Sequence, residues 1–150
     1  MNRAERATQI WAVLAWSASA SLLTSVFGRW PSFHDAEVIR VSLDRTGSEG
    51  PILDAVIHVF EMTSDVDPKG YYILKHHTEV SLRFTEVVLS RCQWFNHQNV
   101  LSSLEVDEID PSGNDGRRFR VAMPSSYGLE AEFDCKRAIV SRVRPFEPAV

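Results

Sequence analysis

The sequence predicts an α+β fold: a helical region at the N-terminus, then a mostly antiparallel β-sheet of six to seven strands forming an open barrel or a curled sheet. Three observations carry this. Residues 7–27 contain no charged side chain and repeat their apolar residues at helical spacing. Gly28 and Pro31 then stop the helix, because glycine takes the left-handed cap conformation and proline cannot continue the ladder. From Ala36 onward the apolar period drops to two, interrupted by clusters of Gly, Pro, Asp and Ser.

A chain of 150 residues is one ordinary domain able to bury a single core. Its expected layout is a helical region over residues 1–28 and an antiparallel β domain over residues 34–145. With 44% hydrophobic and 24% charged residues, the composition is globular. The net charge is −4 and Lys and Arg form no stripe, so nucleic acid is not an expected partner. The two cysteines, Cys92 and Cys135, belong to no CxxC pair and suit a reducing compartment, where they act as small hydrophobes.

Read as a helix, the N-terminal segment puts Trp11, Leu14, Ala15, Ala18, Leu22 and Val26 on one stripe and Ser17, Ser21 and Thr24 on the other face. Serine near 17–19 also makes a good N-cap for a second short helix. Arg3 and Arg6 ahead of the uncharged run, with Ser-Ala-Ser-Ala at 17–20, copy the layout of a cleaved signal peptide. Glu5, the short apolar run at 10–16 and the many hydroxyls argue instead for an amphipathic helix in the cytosol, and against a membrane span.

The first strand covers residues 38–44, with Ile39, Val41 and Leu43 expected on one face and Arg40, Ser42 and Asp44 on the other. A largely apolar strand follows at 52–61. The run 71–89 is too long for one straight strand and predicts a bend or bulge near residues 76–79. Further strands read at 100–109 and 118–123, with turns at 110–116 and 124–128. In the last two strands Glu130, Glu132 and Asp134 alternate with apolar residues, as do Arg142 and Arg144. Opposite charges on neighbouring strands pair favourably, which predicts a structural role for both sets.

Catalytic signatures are absent: there is no GxSxG, no glycine-rich phosphate loop and no HExxH. The arrangement predicts no enzyme. Five histidines invite a metal reading in which His34, Asp35, His58 and His76 form a metal- or small-ligand-binding cluster. The plainer reading is that inward histidines hydrogen-bond within a β core. Trp94-Phe95-Asn96-His97-Gln98-Asn99 is either a recognition loop, since aromatics anchor interfaces, or a buried loop whose amide side chains satisfy the backbone.

The run Phe27-Gly28-Arg29-Trp30-Pro31-Ser32-Phe33-His34-Asp35-Ala36-Glu37-Val38, together with Val56-Ile57-His58-Val59-Phe60, Val80-Ser81-Leu82-Arg83-Phe84 and Phe95-Asn96-His97-Gln98-Asn99-Val100-Leu101, resembles the immunity protein 50 family of bacterial polymorphic toxin systems. The resemblance spans roughly residues 27–143. It implies a small cytoplasmic protein, monomer or homodimer, that neutralises a cognate protein toxin by binding it. It further implies no catalysis, no cofactor, and neither nucleic acid nor membrane as partner. Members must fit different toxins, so Trp30, Phe33, His34 and Asp35 are expected to be scaffold. Toxin contact is expected at acidic sites and exposed polar or aromatic residues: Asp65, Asp67, Trp94, Asn96, Gln98, Asp107 and Glu108. An acidic patch would steer a basic toxin into place.

Overall fold

The computed structural model describes residues 3–147, apart from the side chains of residues 5–14. One helix, α1 (Arg3–Phe27), is unbroken through Ser17 and Ser19. The hydroxyls of Ser19, Ser21, Thr24 and Ser25 each donate to the carbonyl three residues back, so they follow the helix rather than cap a new one. Gly28 closes it at φ 75°, its N–H donating to Thr24 O at 2.8 Å.

The core-facing stripe of α1 differs from the expected one. Leu23 is fully buried, and Trp16, Ala20 and Phe27 pack against the same core. Ala15, Ala18, Leu22 and Val26 are exposed. Trp11 and Leu14 lie outside the described side chains. The helix is rotated by about one residue because Ser19 faces inward. Its hydroxyl accepts the N–H of Val140 at 3.0 Å, a backbone donor at a strand edge that an apolar residue there would leave unpaired.

Ten strands follow among the described residues: β1 (Glu37–Asp44), β2 (Ile52–Val66), β3 (Tyr72–Thr85), β4 (Val88–Gln93), β5 (Val100–Leu101), β6 (Glu105–Glu108), β7 (Phe119–Met123), β8 (Ser125–Tyr127), β9 (Glu130–Cys135) and β10 (Arg137–Pro145). They form two antiparallel sheets, ordered β10-β3-β2-β1-β5-β8 and β4-β9-β7-β6. The class is the expected one, with curled sheets rather than a barrel. The larger strand number has a physical cause: the chain turns corners between sheets inside runs that alternate without interruption. The run 71–89 is cut at Glu86, which has φ 52°. The run 100–109 is cut at 102–104. Residues 125–127, predicted as turn, pair with β5.

The inner faces of both sheets and one side of α1 share a single apolar core. Phe84 on β3 and Phe133 on β9 meet edge-to-face across the two sheets, centroids 4.9 Å apart. A bulge between Val38 and Arg40 shifts the first strand's alternation. Val38 is therefore buried and Ile39 exposed, against the simple period of two. The bend expected in β3 is present: His76 sits at φ 54°, opposite a register shift between Val59 and Glu61 of β2.

The carboxylates of β9 do not meet the arginines of β10, because β10 joins the other sheet beside β3. Arg120 of β7 pairs with Asp134 at 2.9 Å and Arg91 of β4 with Glu130 at 3.1 Å. Arg144 of β10 instead donates to Glu79 of β3.

Candidate functional site

Trp30, Phe33, His34 and Asp35 make the corner between α1 and β1. The ring of Trp30 meets both Trp16 and Phe33 at 5.5 Å, and Phe33 is buried. Asp35 takes φ 66° and donates its N–H to Leu101 O at 2.9 Å, while His34 Nδ1 donates to Ser102 O at 3.0 Å. These contacts hold one end of the sheet to α1.

The four residues of the metal reading do not form one cluster. His34 lies 3.6 Å from Asp35. His58 Nε2 is 2.9 Å from His77 Nδ1, and its ring is stacked on Phe146. His76 Nδ1 donates to Glu61 at 2.8 Å and its ring meets Phe27 of α1. The register of β2 with β3 sets His58 opposite Glu79, which brings His77 rather than His76 to it. Among the described residues, no group of three or more His, Cys, Asp or Glu side chains is placed to hold a metal ion.

The acidic candidates occupy two places. Asp65 and Asp67 lie at the tip of the β2–β3 hairpin. Asp67 is committed to the turn: its Oδ1 accepts the N–H of Lys69 at 2.8 Å and of Tyr71 at 3.0 Å. Val66, Tyr71 and Tyr72 are exposed beside it. Asp107 and Glu108 stand on β6, the edge strand at the far side of the smaller sheet, Asp107 opposite Arg120.

The loop at 94–99 follows β4, at the opposite edge of that sheet. It divides into a buried lock and an exposed tip. Asn99 is buried. Its Oδ1 accepts the N–H of Asn96 at 2.9 Å and of Leu129 at 3.0 Å, and its Nδ2 donates to Asn96 O at 2.7 Å. Asn96 Nδ2 donates to Trp94 O at 2.9 Å, and Asn96 Oδ1 accepts from Gln98 N at 3.1 Å. Trp94 itself takes φ 65°, a rare conformation for so bulky a residue. Trp94 and Phe95 are left 65% and 53% exposed.

Tyr127, Gly128 and Glu130 lie beside the loop; the sequence places the first two in a turn at 124–128 and gives Glu130 a structural pairing role, so none of them was expected here. Gly128, at φ 77°, lets its backbone approach the loop; a Cβ there would run into Gln98 O and come within 2.7 Å of Asn99 Oδ1. With Trp94, Asn96, Ser125, Ser126 and Tyr127 these residues line a cleft of about 530 Å³. Glu130 is its one charged lining residue. A tyrosine directly before a glycine that demands a left-handed conformation was the available signal.

A family model described as Immunity protein 50 matches residues 19–146. That span takes in the last nine residues of α1 and all ten strands of the described residues. Comparison with curated proteins finds no match, and comparison with solved structures finds none. Among the described residues, no helix is long and apolar enough to cross a membrane. A match over this much of the chain, to the same residues that build the α1–β1 corner and the 94–99 loop, decides the question of kinship: the chain belongs to the Immunity protein 50 family.

Proposed function

We propose that this protein binds a cognate protein toxin in the cytoplasm and silences it by occluding its working surface, with no catalytic step and no cofactor of its own. The observation that carries this reading is the 94–99 loop. Large aromatics left exposed normally cost a protein solubility. Here two of them are held out on a loop whose shape is fixed by the side-chain amides of Asn96 and Asn99. A rigid aromatic tip loses little entropy on binding, which is what an interface anchor requires.

Trp94 and Tyr127 are the proposed anchors, with Asn96 and Gln98 shaping the loop. Asp107 belongs to an outer sheet face on which Glu105, Asp107 and Glu132 form no ion pair within 4.0 Å among the described residues, while Glu108, opposite Phe119, stands on the other face of the β6 edge. These charges would steer a basic toxin without anchoring it. Asp67 is better explained by its turn, and Asp65 remains a candidate at the hairpin tip.

The test is co-expression with the product of the adjacent upstream gene. Rescue of growth and co-purification of a stable complex, both lost in a Trp94→Ala, Tyr127→Ala double variant that still folds, are the expected outcome. Toxicity unrelieved by the wild-type protein would end the reading.

A further inference from the structure

We propose that the cleft between the 94–99 loop and β8 is a receptor for a single basic side chain, an arginine or lysine projecting from the partner protein. This rests on the toxin-binding reading and specifies its chemistry. The lining residues of the cleft include one carboxylate and no cation, and the nearest cation, Arg91, is already bonded to that carboxylate, so the lining favours a basic guest over an acidic one. Glu130 is only partly used. Its Oε1 accepts from Arg91 at 3.1 Å and its Oε2 from Gln93 at 3.2 Å. Each carboxylate oxygen has two lone-pair sites, so one on each oxygen remains for an incoming donor. Arg91 and Gln93 thus hold the carboxylate in place without consuming it.

The aromatic lining points the same way. Trp94 and Tyr127 both line the cleft and are 65% and 52% exposed. A cation over an indole or phenol face is attracted by the ring quadrupole, and a guanidinium also stacks on it. The left-handed backbone at Trp94 is the kind of local strain found where a site is preorganised. Asn96 Nδ2, bound to the Trp94 carbonyl, holds it there. An apolar side chain would fill the cleft but leave the free lone pairs of Glu130 covered and unpaired, a cost that selects against it.

The chemistry can be judged without any toxin. N-acetyl-arginine amide and N-acetyl-leucine amide are titrated into the full chain, following the Trp94 indole and Glu130 backbone N–H signals by NMR. Expected is saturable, salt-sensitive binding of the arginine compound alone, abolished in Trp94→Ala and in Glu130→Gln. Tyr127→Leu provides a second variant should either of these fail to fold. Equal response to the two compounds, or undiminished binding by folded Glu130→Gln, would overturn the proposal. In a second arm the complex with the adjacent gene's product is dissociated. Glu130→Gln and Trp94→Ala should speed dissociation by about tenfold or more, whereas Asp54→Asn on the other sheet should not. Arginine binding without any toxin complex would sink the immunity reading. A normal complex indifferent to both variants would sink the cleft's role.

Discussion

The ring of Phe146 lies flat on the imidazole of His58, centroids 3.7 Å apart and planes 7° from parallel. The same imidazole faces His77 at 2.9 Å, and the Phe146 N–H donates to His77 O at 3.0 Å. The residue after the last strand thereby covers a histidine pair on the outer face of the larger sheet.

Acid should loosen the fold in two steps. Burial, and then the neighbouring His77, lower the pKa of His58. The unfolded chain therefore takes up that proton first, and stability present at neutral pH falls as the pH drops through the ordinary imidazole value of about 6.5. At lower pH the carboxylates follow. A hydrogen bond from His76 holds Glu61 below the usual range and one from Arg144 does the same for Glu79. Their stabilisation is lost as the pH falls through the carboxylate region. Thermal melting across pH checks this, and His58→Gln should remove the first step. In Phe146→Ala the His58 titration, followed by NMR, should move up toward its ordinary value.

The face that α1 presents is tested by two adjacent leucines. Leu23 is fully buried and Leu22 is 45% exposed. Leu23→Ala should cost about 3 kcal/mol through lost burial and a residual cavity. Leu22→Ala should cost less than about 0.5 kcal/mol, as surface changes do. Urea unfolding of the two variants measures the difference, and equal losses would place the helix in another register.

Rigidity of the 94–99 loop depends on Asn99 and Gly128. Asn99→Ala strips the acceptor from two backbone N–H groups, those of Asn96 and Leu129, and should cost about 2–4 kcal/mol. Gly128→Ala meets both an unfavourable φ and a backbone oxygen. Gly70→Ala, at φ 86° with open space around it, meets the first alone, worth about 1 kcal/mol. The cost at Gly128 should be clearly the larger. Hydrogen exchange at Leu129 N–H in Asn99→Ala should report the loosened loop directly.

The two thiols should label at very different rates. Cys92 is exposed and Cys135 buried. Burial, and next the nearby Asp134 carboxylate, push the Cys135 thiol up to about 12. A thiolate is needed for alkylation, so Cys135 should react only as the protein unfolds. Mass spectrometry after brief iodoacetamide treatment should show one adduct on native protein and two in denaturant. The same shift makes stability fall as pH rises past the ordinary thiol value of about 8.5.

Much of the fold could be read along the chain because its signals are local. The uncharged run ending at Gly28 gave one helix, and alternation with turn clusters gave antiparallel strands. The bulge at His76 was announced by a strand too long to stay straight. The α1–β1 corner was legible as a motif, and its resemblance pointed to the family that the match over residues 19–146 establishes. Where the sequence failed, two local readings were equally good. The periodicity of α1 fits two faces one residue apart, and nothing in residues 15–27 says that Ser19 will meet Val140.

What the sequence determined by itself, then, is the helix, most of the strands and most of the turns, though not the strand at 125–127 or the break at 102–104, and the 94–99 stretch as unusual. Those follow from backbone preference and periodicity, which act over a few residues. Tertiary structure alone decided which strands share a sheet, and so which charges pair. It placed β10 beside β3, which gave Arg144 to Glu79 and left the β9 carboxylates to Arg91 and Arg120. It also drew Tyr127 and Glu130 up to Trp94, through a glycine with no room for a side chain. Such ion pairs join residues 14 to 65 positions apart, and the energy that selects them comes from burying one common core, a quantity that no local stretch of sequence contains.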